Sequence, residues 1–383
     1  MMVGMPVPFT AAVTDATGGN VKIQRKDFLT EGLLPVIDQG QEDVAGFTND
    51  FSHAYSGDLP VVLFGDHTRA FKYVDRPFAL GADGVKVLAP RAGFNAKFLY
   101  YYFLTCEIPS RGYSRHFKFL KEFDIPLFAL SEQSRIVGLL DEADRLRRLR
   151  READAKAARI LPALFLKMFG DPATNPMGWP VEPLTKICSP KQWPTISSKD
   201  LTDSGFPVYG ANGTIGYFSS YNHEKPTVLI TCRGATCGTI NVCEPKSYVT
   251  GNAMALDEPD LGKTSLEFLE CYLNVRGLND TITGAAQPQI TRQNLQVVTV
   301  FVPPPDLVAK FSRHVRAIKD LLAGVQSGGD RLDDAFGLLL QRAFSGQLTA
   351  HWREVHMQEL LAEMTQQALA LNLQVPIELE ALS

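Results

Sequence analysis

No stretch of the 383-residue sequence approaches the roughly 20 consecutive apolar residues that a membrane-spanning helix needs. The opening run MMVGMPVPFTAAVTD has neither the charged start nor the continuous apolar core of a secretory signal, so a cytoplasmic location and no membrane partner are expected. Cysteine is sparse. Its six positions (Cys106, Cys188, Cys232, Cys237, Cys243 and Cys271) fall mostly inside apolar or strand-like runs, which suits reduced thiols without disulfides. Cys232, Cys237 and Cys243 crowd together, but their gaps of four and five residues match no common zinc spacing, and only His223 is near. No metal is expected. An excess of positive charge is also missing: the net charge is −4, and only residues 131–170 are basic, with nine cationic and six acidic side chains. Phosphate contacts supply most non-specific affinity for nucleic acid, so a protein of this charge that grips a duplex needs a partner to share the clamp.

Catalytic motifs are missing as well. LGKTS (261–265) ends like a phosphate-binding loop, but Asp257 stands where its first glycine belongs. Asp66-His67 has no nucleophile elbow beside it. Neither an Asn-Pro-Pro-Tyr nor an Asp-Pro-Pro-Tyr tetrapeptide of an amino-methyltransferase occurs. No catalytic residue is therefore nominated.

What is present is an ordinary globular composition, 45% apolar and 21% charged, in a chain long enough for two cores. It is written twice. Leu34-Pro35-Val36-Ile37 and its polar turn parallel Phe206-Pro207-Val208-Tyr209 and the turn that follows. Residues 59–88 parallel 225–256: an apolar strand, a polar loop carrying an Arg, a second strand, a turn and a third strand. An aromatic helix (FNAKFLYYYFL against SLEFLECYL), a polar loop, a strand ending in Pro (FDIPLF against TVFVPPP) and a long helix follow in both. The displacement is roughly 170 residues, about one domain plus its helix. The loops carry the differences.

The two long helices carry apolar residues at alternating gaps of three and four. The first has Ile136, Leu139, Ala143, Leu146, Leu149, Ala153, Ala157, Ile160 and Leu164, with Arg145, Arg147, Arg148, Arg150 and Arg151 on its outer faces. The second runs from Val308 to Ala343. Such seams want a partner, and the obvious one is the other copy, antiparallel. Pro162 and the Gly328-Gly329 pair are expected to weaken or kink them, leaving their distal ends as separate short segments. The expected fold is thus α/β (mixed α+β): two similar globular domains joined by two long helices in an antiparallel coiled coil, with a pseudo-twofold internal repeat. Expected segments are 1–130 and 171–305 for the heads, 131–170 and 306–350 for the helices, and 351–383 for a helical tail. Two similar heads on a rigid spacer suit two half-sites on DNA, and unlike loops imply unlike half-sites.

The run DIPLFALSEQSRIVGLLDEADRLRRLRREADAKAARILPALFLKMFGDPATNPMGWP resembles the central conserved region of type I restriction-modification specificity subunits. YGANGTIGY, VLITCRGATCGTI, YVTGNAMAL, GAAQPQIT and FSGQLTAHWREVH resemble their second recognition domain and distal region, and FGDHTRAFKYVDRPFALGADGVKVL the first. The resemblance implies a non-catalytic subunit that reads a split, asymmetric site on double-stranded DNA, one target-recognition domain per half. It also implies helices that act as a ruler and dock two methyltransferase subunits, with restriction (motor-nuclease) subunits joining that core. S-adenosylmethionine, ATP and Mg would then sit on the partners, and no cofactor on this chain.

Direct readout uses Arg or Lys for guanine, Asn or Gln for adenine and small hydroxyls as adaptable partners, on loops stiffened by a sheet. In the first head the candidates are Gln39, Gln41, His67, Thr68, Arg69, Lys72, Arg111, Tyr113, Arg115 and His116. In the second they are Lys191, Gln192, Ser197, Lys199, Asn212, Thr214, Arg233, Thr236, Tyr248, Asn252, Gln287, Gln289 and Arg292. Arg69 and Arg233 stand out because they occupy corresponding loops of the repeat. The rival readings are a coiled-coil scaffold whose heads bind proteins, and a zinc-dependent enzyme built on the cysteine cluster.

Overall fold

A computed structural model describes residues 4–81, 84–110, 112, 114–211, 213–284 and 287–373, with the side chains of 324–330 outside that description. The chain divides into two compact units, Met1–Leu149 with Gly329–Ser383, and Arg150–Gly328. Each long helix is thereby shared out, part to one unit and part to the other.

In chain order the first half runs β1 (Met5–Pro8), α1 (Phe9–Ala12), β2 (Val13–Asp15), β3 (Lys22–Ile23), β4 (Leu34–Ile37), β5 (Gly46–Thr48), β6 (Val61–Gly65), β7 (Phe71–Val74), β8 (Ala79–Gly81), β9 (Val85–Pro90), α2 (Ala96–Phe103), α3 (Phe117–Leu120), β10 (Asp124–Leu127) and α4 (Leu130–Ala157). The second runs α5 (Ile160–Phe169), β11 (Val181–Pro183), α6 (Leu184–Ile187), β12 (Ser189–Gln192), β13 (Phe206–Gly210), β14 (Gly213–Phe218), β15 (Val228–Thr231), β16 (Ile240–Val242), β17 (Tyr248–Val249), β18 (Ala253–Asp257), α7 (Leu266–Arg276), β19 (Thr299–Phe301), α8 (Pro305–Phe344), α9 (Ala350–Val355) and α10 (Met357–Ala370).

The repeat read from the sequence is a repeat of topology. Unit 1 has a sheet β2-β9-β6-β7, and unit 2 has β12-β18-β15-β16 in the same order. Beside it, β4 pairs antiparallel with β5 and parallel with β8, as β13 pairs with β14 and β17. The strand that opens each head returns against the one that closes it, β1 on β10 and β11 on β19. Alternation explains the fully apolar central strands. In β6, Val62 and Phe64 face a core with Leu99 and Phe103 of α2, while Val61 and Leu63 face another with Phe78 and Leu80. In β15, Val228 and Ile230 face one core and Leu229 the other.

Capping fixes the aromatic helices in the same register. Asn95 accepts the N–H groups of Lys97 and Phe98, and Ser265 accepts that of Phe268, as N-cap residues do. The hydroxyls of Tyr102 and Tyr272 then donate to Asp124 and Thr299 in β10 and β19. Phe98 meets Phe344 edge-on at 5.3 Å, and Phe268 meets Phe169 edge-on at 4.9 Å. Each head thus packs an aromatic helix against the end of a helix arriving from elsewhere in the chain.

Within unit 1 the two helix segments run in opposite directions, since Arg147, far along α4, meets Asp333 of α8, whereas Glu132 at the start of α4 meets Arg353 of α9, beyond the end of α8. The seam is the expected one only in part: Ile136 and Ala143 of the first helix and Phe336, Leu339 and Ala343 of the second share one core, but Leu140 takes the place expected of Leu139. Ile136 and Leu140 are buried against Phe336, Leu340 and Ala343, whereas Leu139 is 42% exposed and Leu146, Leu149 and Ile160 are exposed too. Leu139 and Leu140 both satisfy alternating gaps, and the aromatic face of α2 selects Leu140. The first helix breaks at residues 158–159, with Pro162 in the first turn of α5 where its missing N–H costs nothing. At Gly328-Gly329 the expected separate distal segment does not form, since α8 is one helix from Pro305 to Phe344.

The tail belongs to unit 1. Gln367 of α10 donates to the carbonyls of Gly93 and Phe128, and Glu363 accepts the N–H of Ser131 at the start of α4. Leu371 and Leu373 pack beside the α2 core.

Candidate nucleic-acid interface

Three loops meet in each unit, and the same three in both. In unit 1 they are the β4–β5 turn, the β6–β7 turn and the segment from Ile108 to His116. The carbonyl of Gln39 accepts the Thr68 hydroxyl, and its side-chain oxygen accepts the His67 N–H at 3.2 Å. Arg69, held at φ 62°, reaches the Ile108 carbonyl at 3.0 Å. In unit 2 they are the β13–β14 turn, the β15–β16 turn and residues 283–290. Thr231 donates to the Ala211 carbonyl at 2.6 Å, Gly234 N–H to Pro288 at 3.2 Å, and Ile290 N–H to Cys232 at 2.9 Å. The backbone of Arg233 bridges to Gln289.

Arg69 and Arg233 lie in the corresponding loops, after β6 and β15, but not at equivalent positions, since Arg69 stands four residues past its strand and Arg233 two. Arg69 lines a cavity of about 440 Å³ with Gln41, Thr68 and Ile108. Arg233 lines one of about 740 Å³ with Gly234, Gln287 and Gln289. Gln41 and Arg115 are exposed in unit 1, as are Thr214, Arg233, Thr236, Gln287, Gln289 and Arg292 in unit 2. A fourth loop adds to unit 2. Lys191 lies 3.6 Å from the Trp193 ring centroid, Gln192 donates to Gly251, Tyr248 donates to Pro194, and the Asn252 carbonyl accepts Cys232 N–H. Ser197 is spent capping the turn at exposed Lys199. Arg111, Tyr113 and Asn212 lie outside the described residues.

Two nominated readers are withdrawn from the surface. Lys72 is only 8% exposed, and its ammonium donates to the carbonyls of Asp38 at 2.8 Å and Glu42 at 2.5 Å. Burial holds it below the ordinary lysine range, against the pull of Asp38, Asp43 and Glu42. It staples the turn that carries Gln39 and Gln41 instead of meeting a base. His116 is 1% exposed, with Nδ1 2.9 Å from the Asp66 carbonyl. Sequence reasoning weighed Asp66 only as half of a catalytic pair with His67 and did not foresee that its carboxylate accepts the Phe117 N–H.

Unit 2 also holds a polar cluster that spacing did not reveal. His223 lies 3.0 Å from the Asp257 carboxylate and 2.6 Å from Asn222, and Trp193 donates to Asp257 at 3.0 Å. It braces the strand end from which Lys191 and Gln192 project. Among the described residues no group of three or more His, Cys, Asp and Glu could hold a metal ion, and no helix is long and apolar enough to cross a membrane. Burial pushes the thiols of Cys106, Cys188, Cys232 and Cys271 up to about 12, and raises Cys237 and Cys243. Cys237, at the partly exposed end of the β15–β16 turn, should therefore be alkylated first at neutral pH. Mass mapping of iodoacetamide adducts checks the order, and faster labelling of Cys188 or Cys271 would contradict it.

Similarity to known proteins agrees with this arrangement. The fold is similar to that of a type I restriction-modification S subunit from M. genitalium, with 18% identity and a TM-score of 0.59 over 89% of this chain and 96% of that one. A structure solved for the assembly and conformational transition of the type I R-M system is 17% identical over 91% of this chain and 99% of that one, at a TM-score of 0.47. The HsdS subunit from Thermoanaerobacter tengcongensis is 17% identical over 91% and 98%, at 0.35. No curated protein sequence matches. Residues 176–311, which hold all three loops of unit 2, match the family described as type I restriction modification DNA specificity domain. The second unit therefore carries a type I restriction modification DNA specificity domain.

Proposed function

We propose that this chain is the sequence-reading subunit of a type I restriction-modification complex, with no catalytic site of its own. Each unit offers its loop trio to one half of a split, asymmetric site on double-stranded DNA. The observation that carries this is the pairing of a shared core topology with unlike rims: the same three loops close each head, yet their exposed side chains differ. Similar scaffolds with different donors and acceptors are what two different half-sites require. The helices would hold the heads as an antiparallel spacer and dock two methyltransferase subunits, with restriction subunits added. Those partners would bring S-adenosylmethionine, ATP and Mg, and their cations would make up for this chain's net charge of −4.

Arg233→Ala tests the reading. Its guanidinium is exposed on the β15–β16 turn, so removal costs about 1–3 kcal/mol at one base pair if it makes a bidentate guanine contact. Methylation profiling of a randomised library by the reconstituted complex should show relaxed preference in one half-site only. Wild-type preference in both halves would remove Arg233 from the reading set. Binding that ignores salt would favour heads that bind protein.

A further inference from the structure

The two heads hold their third loop by different means, and the difference points to residues that govern reading without touching DNA. Strand pairing aligns Asp66 with Cys232. Each follows the central strand, and each donates its N–H to the residue before the neighbouring strand of the sheet (β9 or β18), Gly84 at 2.6 Å and Asn252 at 2.9 Å. Each accepts a third-loop N–H on its carbonyl, from His116 at 2.9 Å and from Ile290 at 2.9 Å. Ser114 then stands where Pro288 stands. In unit 2 the Pro288 carbonyl is taken by the N–H of Gly234. In unit 1 the Ser114 carbonyl is met instead by the ring of His67, at 3.2 Å from Nδ1.

Unit 1 adds further side-chain bonds. His116 Nδ1 lies 2.9 Å from the Asp66 carbonyl and must donate to it, because a carbonyl only accepts. Asp66 Oδ1 accepts the N–H of Phe117 at 2.7 Å. Asp66 and His116 are 4% and 1% exposed, so neither can meet a base. Between the two tied residues Ser114 and His116 stands Arg115, exposed.

We propose that Asp66 and His116 are positioning residues that fix the third loop of unit 1 against its β6–β7 turn, and that the base preference of this unit, but not of the other, depends on them. The proposal rests on the DNA-reading function above. Both units keep a main-chain bond from the third loop to the strand end, but the bonds that unit 1 adds through an imidazole and a carboxylate are lost when those side chains change.

The test compares His116→Ile, the residue unit 2 uses at the corresponding place, with His116→Asn, whose amide can donate where Nδ1 does. Each variant complex, reconstituted with the methyltransferase chain, is challenged with randomised double-stranded DNA and the bound sites are sequenced. His116→Ile should lose discrimination about tenfold or more in one half-site only, with faster amide exchange from Ile108 to Phe117. His116→Asn should keep both halves. Asp66→Ala and Asp66→Asn form a second pair with the same expectation, usable if His116→Ile does not fold. His116→Ile with wild-type preference in both halves, or with equal loss in both, overturns the proposal. A wild-type complex with no sequence preference at all overturns the DNA-reading function instead.

Discussion

Arg353→Ala should destabilise unit 1 by about 3–5 kcal/mol, the range for removing one partner of a buried ion pair. Glu132 and Arg353 are almost wholly buried, and their side chains meet at 2.6 Å. The guanidinium also donates to the Gly346 carbonyl at 2.9 Å and lies over the Phe128 ring. Without it, the Glu132 carboxylate keeps only the Thr349 hydroxyl in a site closed to water. The loss is that of an uncompensated charge, not of an attraction, so replacing both residues together, Glu132→Leu with Arg353→Leu, should recover most of it. Unit 2 has no such pair at the corresponding place, where Leu307 stands. Urea unfolding followed by hydrogen exchange should show the loss in unit 1 amides and not in unit 2. A change under 1 kcal/mol, or a double variant as unstable as the single, would refute the account.

The duplication was legible because it is written in features that local chemistry fixes. Short apolar runs bounded by polar turns, such as VVLFG and VLIT, read as strands covered on both faces, and Asn95 and Ser265 each precede an aromatic run by the spacing of a cap. Pro162 marked the break after α4. What escaped depends on which neighbours arrive from far along the chain. Leu139 and Leu140 are equivalent to any periodicity, and only the aromatic face of α2 makes Leu140 the buried one. Lys72 and His116 carry chemistry suited to reading bases, but two backbone carbonyls claim the first and Asp66 the second. The tail has no counterpart in the repeat, so nothing in the sequence announced that Glu363 and Gln367 would close unit 1.

Four residues inserted between Arg150 and Arg151 should abolish binding to the natural site, or move it to a site with a longer spacer, without altering either half-site sequence. The position lies inside α4, next to the division between the units at Leu149 and Arg150. The insertion disturbs the Arg150–Asp154 pair, an i,i+4 bridge worth about 0.3–0.5 kcal/mol. Folding therefore survives. If the helices set the distance between heads, four residues lengthen one of them by about 6 Å and turn it by about 40° beyond a full rotation. That is near the rise of two base pairs, so a head addressing the old half-site no longer faces its groove. The expected loss on the natural site is the gap between specific and non-specific binding, about 4–10 kcal/mol. A library in which both half-sites are kept and the spacer varied should return sites about two base pairs longer, or none. Base preferences that change while the spacer stays as it was would mean that the helices do not measure the site, and the loops would then have to be read without a ruler.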